Sequence, residues 1–248
     1  MATTGQTIVM VHGAFCGGWV FDGFRKPFEA AGHRVLTPTL RGHAPGEHAA
    51  GLSVSTFADQ IAELCEAQEM PPLVLGHSLG GLVAQMAADR VPVAALMLLA
   101  PSSPWGVSGQ SVEEAVSAVG LIALGAYWLG VVPPDRTVTA HYSLNRIEAA
   151  ERERLFAQMT AESGRALFEV LNWWLDPLMT TTVRDAGGVR ALVLGGELDA
   201  INPAPTVKRT AERLKGEFRL LDGMGHWLPG EPGWETAATA CLNWIKAA

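Results

Sequence analysis

Charge is scarce in this chain. Only 17% of its 248 residues are Asp, Glu, Lys or Arg, against about 25% in an ordinary soluble domain, and Lys and Arg nowhere cluster. With a formal charge of −7, this argues against nucleic acid or an anionic membrane surface as a partner and leaves a small molecule as the expected one. Cysteine is nearly missing as well. Cys16, Cys65 and Cys241 stand far apart with no C-x-x-C pair, so no disulfide framework and no zinc site are indicated, and buried free thiols are expected. Neither metal nor other cofactor is expected. Long apolar runs are absent. Residues 1–6 are short and polar, and the first apolar run, 8–11, is too brief for a signal core or a membrane span, so a cytoplasmic protein without membrane insertion is expected. No repeat or low-complexity segment occurs. Whether the chain is a monomer or a homodimer stays open.

What is abundant is hydrophobic residues, at 48%. At this length they suffice for one large core, since single α/β domains commonly run to about 250 residues. Six short runs read as strands: 7–11, 34–38, 72–75, 94–100, 189–194 and 217–221. They are nearly continuous rather than alternating, as in strands buried on both faces. Helical patterns lie between most of them, at 19–31, 54–68, 82–90, 203–215 and 232–246, with Ser53 as a predicted N-cap. Strand alternating with helix implies an α/β fold with a doubly wound, mostly parallel sheet of about six strands.

One stretch breaks the alternation. From Ser102 to about Asp185 no strand is evident, and three or four helices are expected near 111–129, 135–144, 147–159 and 163–174. About eighty residues are too many for a loop. The expected organisation is a core of 1–101 and 186–248 with a helical cap, 102–185, inserted in it. Trp105, Leu121, Leu124, Tyr127, Trp128, Trp173, Trp174 and Met179 either pack this cap onto the core or roof a pocket.

Chemistry concentrates at Gly76, His77, Ser78, Leu79, Gly80 and Gly81, between the run 72–75 and the helical stretch after it. In that context G-x-S-x-G is a strained strand-to-helix turn that lifts the serine hydroxyl clear of the sheet, with Gly76 and Gly80 giving clearance. A serine hydroxyl needs a histidine to take its proton and a carboxylate to orient that histidine. Asp199 follows the fifth strand and His226 the sixth, both at the edge where open α/β sheets bind ligands. Glu197 is the competing acid, and Asp222 lies too close to His226 in sequence. His33, His43, His48 and His141 are expected to be solvated or locally bonded, and His12 and His77 structural or pocket-lining. An oxyanion hole needs two preorganised N–H donors. The amide of Leu79 is one candidate, at a helix start, and that of Ala14, in the loop 12–19 after the first strand, is the other. Phe15, His77, Trp128, Trp173 and Trp227 are candidate pocket-lining residues.

Over essentially its full length the chain resembles the α/β-hydrolase superfamily. The loop 12–19, with Glu29, Ala30, Ala31, Gly32, His33 and Val35, is similar to the branch holding plant methyl-ester esterases and hydroxynitrile lyases. In that branch the lyases carry threonine at the place of Gly13 and lysine at the place of Trp227, so the resemblance implies hydrolysis rather than cyanohydrin cleavage. The expectation is a metal-free serine esterase acting through an acyl-enzyme on Ser78. Thioesters, lactones, amides and carbon–carbon bonds beside a ketone remain rival substrates, and a slow-turnover small-molecule receptor of the same fold remains a rival function.

Overall fold

The computed structural model describes residues 5–107, 125–184 and 188–247. Its centre is a six-stranded sheet whose strands lie side by side in the order Arg34–Leu36, Thr7–Val11, Leu73–His77, Ala95–Leu99, Ala191–Gly196 and Glu217–Leu221, every neighbouring pair parallel. In chain order β1 is Thr7–Val11, α1 is Lys26–Ala30, β2 is Arg34–Leu36, α2 is Val54–Glu66 and β3 is Leu73–His77. Then come α3, Leu79–Ala88, and β4, Ala95–Leu99. The predicted strands thus occur where the apolar runs lie, and the α/β sheet of about six strands is the observed architecture.

The apolar runs are continuous because both faces of the sheet are covered. Val9, Val11, Val74, Leu96, Leu98 and Val193 enter one buried cluster with Phe57, Ile61 and Leu82. Ile8, Met10, Leu75, Met97, Leu99, Leu192 and Leu194 enter the other with Phe21, Phe24, Phe28 and Trp244. Period-two side-chain alternation sends successive residues to opposite clusters, and both sides are apolar. Each fully buried Phe contributes about 1.5–3 kcal/mol relative to exposure. Helix α2 begins where predicted: Ser53 Oγ accepts from the Thr56 amide at 3.0 Å, worth about 1 kcal/mol. All ten residues of α3 are buried. Among the described residues, no helix is long and apolar enough to cross a membrane. Cys16, Cys65 and Cys241 are buried and free.

After β4 the chain leaves the sheet and rejoins it at Ala191. The described part of this segment holds β5, Val131–Val132, α4, Arg136–Val138, α5, Ala149–Phe156, β6, Glu162–Ser163, and α6, Gly164–Leu171. β5 and β6 form an antiparallel pair, which corrects the expectation of helices alone; two residues per strand leave no periodic signal. Most of the predicted helix at 111–129, including Leu121 and Leu124, and the boundary residue Asp185 lie outside the described residues. Residues Tyr127–Leu129 form a single 3-10 turn. The segment is seated on the sheet domain by buried polar contacts. Ser163 Oγ donates to the Leu52 carbonyl at 2.5 Å, and Glu169 Oε2 accepts from the Val54 amide at the start of α2 at 2.8 Å. The chain closes with β7, Ala191–Gly196, α7, Ala204–Arg213, β8, Glu217–Leu221, and α8, Trp234–Lys246.

Candidate active site

Sheet register sets the site. Val11 pairs with Gly76 and His77 with Leu99, so the loop after β1 and the turn after β3 emerge side by side. Ser78 continues the pairing for one bond, its amide donating to the Leu99 carbonyl at 3.0 Å, and then turns sharply into α3. Its backbone sits at φ 54 and ψ −123, a conformation costing on the order of 1–3 kcal/mol that only tight surroundings maintain. Those surroundings are glycines. A Cβ on Gly76 would lie 2.3 Å from the Gly80 carbonyl oxygen, and one on Gly80 would lie 2.2 Å from that of Val11.

On the far side of the sheet, Gly196 pairs with Leu221, which brings the loops after β7 and β8 together. Asp199 in the first loop and His226 in the second meet there. His226 Nδ1 lies 2.9 Å from Asp199 Oδ2, and His226 Nε2 lies 3.0 Å from Ser78 Oγ. Asp199 Oδ1 also accepts from the amides of Ile201 at 2.8 Å and Asn202 at 2.9 Å, which hold the carboxylate in place. The ion-pairing partner requires Nδ1 to carry the proton, so Nε2 presents its lone pair to the serine hydroxyl. All three side chains are shielded from water, with Ser78 8%, Asp199 6% and His226 4% exposed. Glu197, the competing acid, instead accepts from the Gly223 amide at 2.7 Å on the surface.

His77 supports this arrangement from below. Its Nε2 donates to the His226 carbonyl at 2.9 Å, and its ring packs on those of His226 and Trp227. Burial, reinforced by neighbouring His226, pushes His77 down to about 3, so it stays neutral and its Nδ1 is a buried acceptor without a hydrogen-bond partner. Trp227 is core rather than lining, packed between His77 and Trp19. Trp128 rests on Tyr127 and Phe168, and Trp173 on Trp105, all in the inserted segment or at its start. Phe15 lies in the loop after β1 at φ 64, directly after Ala14. A Cβ on Gly13 would lie 3.0 Å from Ser78 Cβ, so that loop runs against the serine. Leu79 opens α3.

Three side chains near the site had no sequence signal or a misleading one. His43 is buried rather than solvated; besides the local bond expected of it, from Nδ1 to the Arg41 carbonyl at 3.1 Å, its Nε2 bonds Glu162 Oε2 at 2.9 Å, which the sequence did not signal. Its partner lies 119 residues away. Glu231 is the third. Its Oε1 accepts from the Gly225 amide at 2.6 Å, bracing the loop that carries His226, and its Oε2 is buried without a partner. Burial raises its pKa to about 7, against the Gly225 bond and nearby His226 and Arg146, and with the push of Asp199. A folded pKa above the unfolded value adds stability that is fully present below the unfolded value and is lost as pH rises through about 7. Thermal denaturation should therefore show wild type losing Tm between pH 5 and 8 more steeply than Glu231→Gln, by a few degrees. Parallel curves would remove this role from Glu231.

This geometry sits on a known framework. The chain belongs to the alpha/beta hydrolase family, matching it over residues 8–238. Lipase LipV of Mycobacterium tuberculosis is 36% identical over 229 residues, 82% of this chain and 80% of that protein. A carbendazim hydrolyzing esterase from a Nocardioides species is 41% identical over 86 residues, 34% of this chain, and the match spans only 36% of that esterase's length. The structure of an Arabidopsis methylesterase superposes with a TM-score of 0.76 at 14% identity, covering 98% of this chain and all of that one. At that identity the likeness is one of fold.

Proposed function

We propose that the protein is a serine hydrolase that cleaves a small, uncharged or apolar carboxylic ester through an acyl-enzyme on Ser78. The observation that carries this reading is the unbroken relay from Ser78 Oγ through His226 to Asp199, at 3.0 Å and 2.9 Å. As the hydroxyl attacks the ester carbon, its proton passes to His226 Nε2, and Asp199 stabilises the imidazolium that forms. The Ala14 and Leu79 amides take the negative charge of the tetrahedral intermediate, helped by the start of α3. His226 then gives its proton to the leaving alkoxide. Water, deprotonated by the same nitrogen, releases the acid from Ser78.

In this reading residues 102–185 form a cap over a core of 1–101 and 186–248. The aromatic groups gathered there, Trp105 with Trp173 and Trp128 with Phe168, favour an apolar acyl or alcohol group. Relatives named as esterase and lipase support an ester over a thioester, lactone or amide. Buried, unpaired cysteines suit a reducing, cytoplasmic setting.

The test is hydrolysis of p-nitrophenyl esters of increasing chain length beside matched thioester, lactone and anilide substrates. A fluorophosphonate is added in parallel and its adduct read by intact mass. One adduct and a chain-length optimum among the esters are expected. Turnover favouring the anilide or thioester would overturn the substrate class, and absence of both adduct and turnover would overturn the hydrolase reading.

A further inference from the structure

The loop that bears Ala14 is held one peptide plane at a time. The Gly13–Ala14 plane carries the Ala14 N–H at one end and the Gly13 carbonyl at the other. His12 Nδ1 donates to that carbonyl at 2.8 Å. His12 is fixed in this tautomer because its Nε2 accepts from the Leu40 amide at 2.9 Å, and burial keeps it neutral, pushed down to about 3. The next plane, Ala14–Phe15, is held by its N–H, which donates to Glu162 Oε2 at 3.2 Å. The third, Phe15–Cys16, is held by its carbonyl, which accepts from the Thr160 amide at 2.9 Å. The first restraint comes from the core. The other two come from the cap.

Glu162 is held firmly enough to do this. Its side chain is fully buried, and its three hydrogen bonds run to the Phe15 amide, to His43 Nε2 and, through Oε1, to the Ser163 amide at 2.7 Å. His43 in turn bonds through Nδ1 to the Arg41 carbonyl at 3.1 Å, so both ring nitrogens are engaged and the ring is fixed. Burial alone would lower His43, and the bond to the Glu162 carboxylate outweighs it. The His43 ring also meets that of His12 edge-on, which joins the two sets of restraints.

We propose that Glu162, a cap residue, is a positioning residue of the oxyanion hole: clamped by His43, its carboxylate fixes the Ala14–Phe15 peptide and so aims the Ala14 N–H at the developing oxyanion. The inference rests on the hydrolase reading above. With the planes on both sides of Ala14 held, its φ and ψ have no freedom left. Phe15, at φ 64, would relax from its left-handed backbone if the Glu162 and Thr160 bonds were lost. Cap docking and oxyanion geometry are then one event.

Glu162→Gln tests it, because one of its two acceptor oxygens becomes a donor facing N–H groups. The readouts are p-nitrophenyl acetate hydrolysis and inhibition by phenylboronic acid, whose tetrahedral adduct on Ser78 places an oxygen where the oxyanion forms. The expected result is a fall in kcat of about 10- to 100-fold, a KM within about threefold, and a rise in the boronate Ki that matches the loss in kcat. Glu169→Gln is the control, since it neutralises another buried cap carboxylate bonded to the core and touches none of the bonds that hold the loop. It is expected to lower Tm while leaving kcat and the boronate Ki within about threefold. A folded Glu162→Gln that keeps both kcat and Ki overturns the inference, as does a Glu169→Gln that loses both alike. If Glu162→Gln fails to fold, Glu162→Asp, which keeps the charge and shortens the reach, must show the joint loss or overturn it. Fluorophosphonate labelling of the wild type separates the two readings: an unlabelled, inactive wild type fails the hydrolase itself, and a labelled one with an indifferent Glu162 variant fails this inference alone.

Discussion

Ser78→Ala is expected to lower kcat/KM for a p-nitrophenyl ester by about a million-fold and to abolish the fluorophosphonate adduct. In the proposed mechanism the hydroxyl forms the acyl bond, and alanine removes it while keeping the Cβ that the turn has already accommodated. Backbone strain at φ 54 is unchanged by the exchange. The fold should therefore survive, with the loss of one buried hydrogen bond worth about 1 kcal/mol. His226 stays paired with Asp199, and the amides of Ala14 and Leu79 stay in place, so a residual acceleration of about 10³ over water is expected. A variant that is folded, unlabelled and still active at the wild-type rate would mean that hydrolysis proceeds without a serine ester.

Asp199→Asn should be nearly as damaging, with kcat down by about 10⁴-fold and KM little changed. The amide can accept only through its oxygen. The amides of Ile201 and Asn202 already donate to Oδ1, so the oxygen will settle there and the NH2 will face His226. That turns His226 to the wrong tautomer, with a proton rather than a lone pair toward Ser78. Glu197→Gln is the matched comparison: its carboxylate bonds the Gly223 amide at the surface, and kcat is expected to stay within about twofold of wild type. Steady-state kinetics on both variants decides between the acids, and a larger loss at Glu197 would reverse the assignment.

The sheet was legible in sequence because it is buried twice over. Runs such as Ile8, Val9, Met10 and Val11 have no polar face, and a strand packed on both sides needs none. The order of glycine-flanked turns along the chain was enough to pick Ser78, Asp199 and His226, which do meet in space. Helix α3 opens at Leu79, the helix start assigned to the oxyanion donor, although its apolar pattern is evident only from Leu82 because Gly80 and Gly81 read as turn. They are glycine there because a side chain at either would strike the neighbouring backbone or Pro101. The pair of His43 and Glu162 was invisible for a different reason. A single His and a single Glu far apart in the chain carry no periodicity, and only the docking of β6 against the loop after β2 brings them together. Trp227 misled in the opposite sense: adjacent to His226 in sequence, it points into the packing behind it.

The way the inserted segment is spliced into the sheet limits what can be done with it. It departs from the carboxyl end of β4 and returns to the amino end of β7, and these strands are parallel neighbours. Its two attachment points are therefore separated by a full strand length, about 17 Å, at opposite edges of the sheet. A turn cannot bridge them. Any shortened version of this protein would need a crossover of about a dozen residues or more, right-handed and laid over one face of the sheet. The segment can be exchanged for another of its kind, but it cannot be trimmed to nothing.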